Sequence, residues 1–193
     1  MRLPVFAALV LLSAAAWGQS SPAPQSSAPK SQSATEQSAT PAAKPDDVRS
    51  MDSILHALYD VISGNAGQKR DWDRMRSLFV PGARLIPASK QPAGEIKTRV
   101  LSVDDYIARA QPFFDKEGFF ESETARHVEQ YAHISQVFST YESRHEKTGK
   151  PFARGINSIQ LLNDGQRWWV VTIYWEAETP ETPIPDEYLH SGK

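Results

Sequence analysis

The chain has 193 residues, of which 40% are hydrophobic and 23% charged, with a net charge of −2 at pH 7. This composition fits one globular domain with its own core. The absence of a basic block argues against nucleic acid as the main partner. No cysteine is present, which excludes disulfides, thiolate metal sites and lipid attachment at a cysteine.

The N-terminus has the pattern of a secretory signal peptide over residues 1–18. Arg2 supplies a positive start, residues 3–16 are apolar, and Ala16-Trp17-Gly18 fits the small-x-small cleavage pattern. The apolar stretch is too short for a permanent membrane anchor, although an uncleaved anchor is the alternative. We therefore expect cleavage after Gly18 and a periplasmic or secreted protein with no permanent anchor.

Residues 19–45 are predicted to form a disordered linker. They consist mainly of Ser, Ala, Pro, Gln and Thr and have almost no apolar surface to bury. A coil of this length spans roughly 30 Å. The folded domain is predicted over residues 46–193 and ends in an extended, proline-rich tail.

Three amphipathic helices are predicted in the first half of the domain. The first runs from about Asp46 to Gly64, with apolar residues at three-and-four spacing. The second lies in RDWDRMRSLF, where Asp71 is the expected N-cap. The third begins at Ser102 with a Ser-x-x-Asp capping motif and ends at Gly118. Two short strands, in ARLIPA and EIKTRVL, separate the second and third helices.

From Phe119 onward the apolar pattern changes to a period of two. Four strands are predicted, in FESETARHVEQY, HISQVFSTYESRH, FARGINSIQLL and RWWVVTIYWEAE. Turn signals, of which Asp164-Gly165 is the strongest, join them into an antiparallel meander. Three helices followed by such a meander predict an α+β domain with the helices on one face of the sheet.

The last predicted strand is apolar at successive positions. Strict alternation gives two apolar faces, made by Trp169, Val171, Ile173 and Trp175 and by Trp168, Val170, Thr172 and Tyr174. A strand that is apolar on both faces is covered on both faces. The helices would cover one face and a partner subunit the other, so the pattern predicts a homodimer through the sheet face.

The order of these elements resembles the nuclear-transport-factor-2-like superfamily, in particular its SnoaL-like bacterial branch. The resemblance covers about residues 47–178 and includes the segments RDWDRMRSLF and FSTYESR; its most recognisable features are the order of elements and the late DG-x-RWW-V strand. It implies a cone-shaped, curved antiparallel sheet packed on three helices, a pocket inside the cone, and frequent dimerisation. The superfamily includes ketosteroid isomerase and scytalone dehydratase but also proteins that only bind, so the fold does not fix the function. None of the known catalytic sets has a match here.

Three histidines, His127, His133 and His145, are the candidates for a metal or catalytic site. His145 follows His133 by twelve residues, which is roughly 40 Å along a straight strand. The three side chains therefore do not converge, and no metal is expected. His127 alone is the candidate general acid or base. The alternative is a histidine that is hydrogen-bonded or half-exposed on its strand.

The ligand-pocket candidates are Trp72, Tyr106, Tyr141, Asn157 and Trp175. Ser143 is a further polar candidate to orient a ligand. Trp72 would stack on a flat ligand, and the alternative for Trp72 is a core tryptophan beside an N-cap. Alternation does not show which parity of each strand faces inward.

The first functional hypothesis is an exported domain that holds a small apolar or aromatic molecule in the cone, with no cofactor. One alternative is a cofactor-free lyase, isomerase or hydrolase that uses His127 for acid–base chemistry. A further alternative is a protein-interaction module recruited through the sheet face. The sequence leaves open whether the chain is an enzyme.

Overall fold

The computed structural model describes residues 40–91 and 93–192. The predicted signal peptide, residues 1–18, and most of the predicted linker, residues 19–45, lie outside the described residues. The longest helices in the described part of the chain contain 12 residues, and none of its helices is long and apolar enough to cross a bilayer.

The described residues contain four α-helices. These are α1 (Pro45–Val48), α2 (Met51–Ile62), α3 (Trp72–Leu78) and α4 (Val103–Phe114). The predicted first helix is thus divided in two. Ser50 adopts an extended backbone and its hydroxyl accepts a hydrogen bond from the Ser53 amide at 3.1 Å, so Ser50 acts as the N-cap of a new helix.

The predicted starts of α3 and α4 are confirmed. The Asp71 carboxylate accepts a hydrogen bond from the Arg74 amide at 2.9 Å. Ser102 and Asp105 form a reciprocal capping box, in which each side chain accepts from the other residue's backbone amide. Both caps satisfy amides that the first helical turn leaves without partners.

Six strands form one curved sheet. They are β1 (Phe79–Lys90), β2 (Ile96–Thr98), β3 (Phe120–Tyr131), β4 (Ile134–Arg144), β5 (Ala153–Asn163) and β6 (Trp168–Ala177), in the spatial order β2-β1-β6-β5-β4-β3. The predicted meander is confirmed as β3 to β6, and the predicted α+β class with helices packed on a curved sheet is also confirmed.

The sheet is mixed rather than fully antiparallel, which corrects one part of the prediction. Strand β1 pairs with β6 in parallel, whereas all other pairs are antiparallel. Short turns force the strands that they join to run antiparallel. Strands β1 and β6 are far apart in the sequence, so no turn constrains their relative direction.

A bulge in β3 changes which residues of this strand face the helices. Glu123 pairs with Tyr141 of β4 and Ala125 with Thr140, so Thr124 is the extra residue. An inserted residue reverses the inward and outward alternation beyond it. His127, which shares its parity with Glu121, consequently lies on the opposite face of the sheet.

A second bulge, at Val171, explains the apolar pattern of β6. Leu161 of β5 pairs with Val170, whereas Gln160 pairs with Thr172. The inner face of β6 therefore switches parity along the strand, and it carries Trp168, Val170, Ile173 and Trp175. The two faces expected from strict alternation are wrong for this strand. Its consecutive apolar residues no longer require a partner subunit.

The outer face of the sheet nevertheless retains exposed apolar side chains. Tyr131 is 81% exposed, Ile134 61% and Tyr174 44%. The predicted homodimer through this face stays a prediction, which sedimentation velocity of the purified chain would test.

The C-terminal tail covers part of the outer face and of the sheet edge. The Thr140 hydroxyl donates a hydrogen bond to the Tyr188 carbonyl at 2.6 Å, and the Gly192 amide donates to the Arg126 carbonyl at 3.1 Å. Strand β3 is an edge strand, whose unpaired backbone groups would otherwise be open to other chains. The tail therefore closes part of this edge.

Arg70 joins the end of α2 and the loop that follows it to α4. It is 3% exposed, and its guanidinium donates at 2.6–3.0 Å to four backbone carbonyls, those of Ile62, Gly64, Asn65 and Gln68. Its Cζ atom also lies 4.9 Å from the centroid of the Phe114 ring. A cation at a helix C-terminus is stabilised by the helix dipole as well as by these bonds.

We expect Arg70→Met to lower the free energy of unfolding by about 3 kcal/mol, because buried carbonyls lose charged donors that methionine does not replace. Urea unfolding monitored by tryptophan fluorescence measures this change. The control is Arg76→Met on α3, whose ion pairs with Asp73 and Asp104 are solvent-exposed; its loss is expected to be below about 1 kcal/mol. Equal losses in the two variants would contradict the role assigned to Arg70.

Candidate functional site

A cavity of about 220 Å³ lies between the helices and the inner face of the sheet. Its apolar wall consists of Leu58, Ile62, Met75, Leu85, Phe119, Ile173 and Trp175. Its polar groups belong to Tyr59, Tyr106, Glu121, Tyr141, Ser143 and Asn157. A mostly apolar cavity with a few polar groups on one side is the usual composition of a small-molecule site.

The structure brings four of the five ligand-pocket candidates together. Tyr106, Tyr141, Asn157 and Trp175 all line the cavity, and so does Ser143. Tyr106 and Trp175 meet edge to face, with ring centroids 6.3 Å apart. Helix α4 supplies Tyr106, and strands β4, β5 and β6 supply the other side chains.

The fifth candidate, Trp72, does not line this cavity. Its ring stacks on Phe114 with centroids 6.0 Å apart, and its indole Nε1 donates a hydrogen bond to Gln111 Oε1 at 2.6 Å. These contacts join α3 to α4. They correspond to the alternative in which Trp72 is a core tryptophan beside an N-cap.

His127 also lies outside the cavity, on the outer face of the sheet. Its Nε2 is 2.9 Å from the His190 carbonyl oxygen, and its ring meets Tyr188 edge to face at 5.3 Å. A Cβ added at Gly192 would lie 2.3 Å from the imidazole, so the tail packs closely over it. Its candidate role in acid–base chemistry stays a prediction, at a location away from the cavity.

The other two histidines contact different parts of the protein. His145 stacks on Phe152 at 4.2 Å, and His133 lies exposed in the turn before β4. Within residues 40–91 and 93–192, no group of three or more His, Cys, Asp or Glu residues could hold a metal ion.

Glu121 is the acidic side chain in the cavity wall, and the sequence did not single it out. Its Oε2 accepts a hydrogen bond from Ser143 Oγ at 2.7 Å. Its backbone amide donates to the Ser63 hydroxyl at 3.1 Å, which fixes the start of β3 against the end of α2. In the sequence Glu121 is one of three glutamates in the same strand, and nothing distinguishes it from Glu123 or Glu129.

Burial raises the pKa of Glu121 to about 7, from a usual value of 4.5. Desolvation disfavours the charged carboxylate, and the hydrogen bonds from Ser143 and Asn157 only partly offset this cost. Among the residues that the structure describes, no arginine or lysine lines the cavity. A carboxyl group with a pKa near neutrality exchanges its proton readily at physiological pH.

Two tyrosine hydroxyls in the cavity have no protein partner among the described residues. Burial and the nearby Glu121 raise the pKa of Tyr106 and of Tyr141, and no hydrogen bond lowers either of them. Both hydroxyls therefore stay protonated at neutral pH and are available as donors. The Tyr141 hydroxyl fits because residue 155 is glycine, where a Cβ would lie 2.5 Å from it.

Tyr59 belongs instead to a saturated hydrogen-bond chain. Its hydroxyl accepts from Asn157 Nδ2 at 3.1 Å and donates to Ser139 Oγ at 2.6 Å, since Ser139 donates its own proton to Glu123 at 2.6 Å. Arg126 closes the chain by pairing with Glu123 at 2.5 Å. This chain connects the cavity wall to the surface and holds α2 on the sheet.

No protein-family model matches the chain, and no curated protein matches it. Solved structures align with the chain at low identity and at TM-scores below 0.5. A nuclear-transport-factor-2-like protein of unknown function from Silicibacter pomeroyi aligns with 67% of this chain and 94% of its own, at 15% identity and a TM-score of 0.46. A protein of unknown function with a cystatin-like fold from Nostoc punctiforme aligns with 67% of this chain and 89% of its own, at 10% identity and a TM-score of 0.48. A candidate ketosteroid isomerase from Parabacteroides distasonis aligns with 67% of this chain and 88% of its own, at 10% identity and a TM-score of 0.45.

A curved, unclosed six-stranded sheet packed on helices is the architecture that the sequence resemblance implied. Because these structures are at most 15% identical and have TM-scores below 0.5, membership of the nuclear-transport-factor-2-like superfamily stays an expectation from the sequence resemblance. The SnoaL-like branch stays a prediction. At these identities the similarity concerns the fold alone, because the same fold carries unrelated functions.

We expect the stability of the protein to fall as the pH rises from about 4.5 to about 7, the range set by the raised pKa of Glu121. The folded state binds this proton more tightly than the unfolded chain does, so its contribution is complete below the lower value and is lost above the upper one. The loss is at most about 3 kcal/mol.

Urea unfolding across this pH range, compared between the wild type and Glu121→Gln, measures the Glu121 contribution. Glutamine does not titrate, so the variant should lack this part of the pH dependence. Glu129→Gln, at an exposed position of the same strand, is the control and should follow the wild type. Parallel curves for the wild type and Glu121→Gln would show that the Glu121 carboxyl is not buried as described.

Proposed function

We propose that this protein binds a small molecule built on a single ring in its internal cavity. The observation that carries the proposal is the cavity of about 220 Å³ with two tyrosine hydroxyls, Tyr106 and Tyr141, facing it without protein partners. An apolar cavity of about 150 Å³ accommodates benzene, so the volume fits one ring with small substituents. The predicted signal peptide would place this binding activity in the periplasm or outside the cell.

The polar groups favour a ring that carries an oxygen. Tyrosine hydroxyls donate to a carbonyl or phenolic oxygen, while the Glu121 carboxyl can donate or accept according to its protonation. Leu58, Ile62 and Ile173 would contact the apolar part of the ring. Both tyrosine hydroxyls face the open space of the cavity, so a ligand that supplies an acceptor would pair with them.

We expect phenol to bind the wild-type chain and to shift NMR signals of residues around the cavity. The variant Ile173→Phe should abolish binding, because the added ring occupies part of the cavity. Val171→Phe is the matched control, since it adds the same ring to the same strand outside the cavity, and it should bind phenol like the wild type. Equal binding by both variants would place the site elsewhere.

A second candidate function is cofactor-free proton transfer, as in a lyase, isomerase or hydrolase. It is favoured by the position of Glu121, whose pKa of about 7 lies in the range of a general base. The Tyr106 hydroxyl on the same cavity could donate to a carbonyl oxygen and stabilise the charge that develops there. In this candidate the reacting carboxyl replaces His127 as the acid–base group.

If the cavity catalyses proton transfer, it should exchange the α-protons of cyclohexanone for deuterium faster than buffer does. Glu121→Gln should lower the exchange rate about 100-fold, and His127→Ala should leave it unchanged. Proton NMR in D₂O measures both rates. A loss in His127→Ala with full activity in Glu121→Gln would return the role to His127, and no acceleration by the wild type would exclude this reaction.

A further inference from the structure

Glu121 determines the charge of the cavity. Among the described residues that line this space, it is the one carboxyl group, and no basic side chain accompanies it. The other titratable groups of the lining are the hydroxyls of Tyr59, Tyr106 and Tyr141. Burial raises the pKa of all three, so they stay protonated and uncharged at neutral pH. The cavity is therefore neutral or negative, according to the state of Glu121.

The charged groups of the neighbouring cleft, between α2 and the first half of β3, do not compensate this carboxyl. Glu121 borders the cleft together with the titratable side chains of His56, Asp60, Glu123, Arg126, Arg144 and Lys147. The two arginines pair with glutamates of their own strands, Glu123 and Glu142, and Asp60 pairs with Arg74. In the part of the chain that the structure describes, Glu121 has no cationic ion-pair partner, and no cation contributes to its pKa.

The partners of the Glu121 carboxyl are neutral. Ser143 Oγ donates a hydrogen bond to it at 2.7 Å, and Asn157 supplies another. These bonds offset only part of the cost of burying a charge, so the pKa of Glu121 stays raised, at about 7. A positive charge within about 4–6 Å favours the ionised form of a carboxyl group. A cationic ligand would therefore supply the partner that the protein itself does not.

We infer that the ligand is a single-ring cation, whose protonated amine or other basic nitrogen pairs with the Glu121 carboxylate inside the cavity. A hydrogen bond between an ammonium and a carboxylate is stronger than one between neutral groups. A ring that also carries an oxygen would use the Tyr106 and Tyr141 donors at the same time. This inference rests on the proposed ligand-binding function of the cavity, and it specifies the chemical class of the ligand.

Three probes with one ring and one short substituent separate the charge of the ligand from its shape: benzylamine, benzyl alcohol and benzoate. Calorimetric titration of the purified chain at pH 8 measures their affinities. At this pH benzylamine is a cation and Glu121 is mostly ionised. We expect benzylamine to bind about tenfold more tightly than benzyl alcohol. Benzoate should bind most weakly, because it meets a like charge.

The preference for the amine should depend on pH in the direction that Glu121 sets. A carboxyl group with a pKa of about 7 is about nine-tenths ionised at pH 8 and about one-tenth ionised at pH 6. The affinity for benzylamine should therefore fall about tenfold from pH 8 to pH 6. Benzyl alcohol has no charge to pair with the carboxylate, so its affinity should fall less.

Glu121→Gln keeps the size of the side chain but removes its charge. At pH 8 this variant should reduce the ratio of benzylamine affinity to benzyl alcohol affinity at least tenfold, and the ratio should no longer depend on pH. Glu129→Gln makes the same change at an exposed position of β3, outside the cavity, and should keep the wild-type ratio. Ile173→Phe, which occupies part of the cavity, should prevent the binding of benzylamine.

Three results would overturn the inference and leave the binding function standing. The wild type would bind benzyl alcohol or benzoate at least as tightly as benzylamine, Glu121→Gln would keep the wild-type ratio, or benzylamine would bind Ile173→Phe as it binds the wild type while benzyl alcohol does not. If none of the three probes binds the wild type, the proposed function itself fails.

Discussion

The bulge at Thr124 is the constraint on which the interior depends. Before it, Glu121 and Glu123 face the helices, and after it the inward positions belong to Arg126 and Val128. Glu123 and Arg126 can pair on one face only because the extra residue shifts the alternation. The same shift turns the following histidine outward, where the C-terminal tail packs over it. One inserted residue thus decides both the charge network inside the sheet and the surface outside it.

The polar interior is divided into a satisfied and an unsatisfied part. The chain through Tyr59, Ser139 and Glu123 uses its donors and acceptors fully and joins α2 to the sheet. In the adjoining wall, which contains Glu121, the Tyr106 and Tyr141 hydroxyls have no hydrogen-bond partner among the described residues. The two tyrosine hydroxyls open onto the cavity, where they are available as donors to a bound molecule. This contrast, rather than the fold, is the reason for proposing the cavity as the binding site.

Most of the groups that hold the helices and the sheet together are different from the side chains that line the cavity. Arg70 fixes the segment after α2, and the capping box fixes the start of α4. The saturated chain holds the opposite wall. The other side chains that project into the space are thus separate from the groups that hold the helices and the sheet together.

Much of the fold was determined by the sequence itself, because caps and alternating strands are local signals. Ser102, Asp71 and the four strands of the meander lie where local patterns predicted them, and side chains such as Tyr141 and Asn157 could be recognised as ligand candidates by their chemistry. Only the tertiary structure decided which of them meet. Neither bulge has a recognisable signal in the sequence. Which residues of β3 and β6 face the helices could therefore not be predicted from alternation. Glu121 rather than His127 borders the cavity, and β1 runs parallel to β6, because pairing between distant segments depends on packing that no local pattern contains.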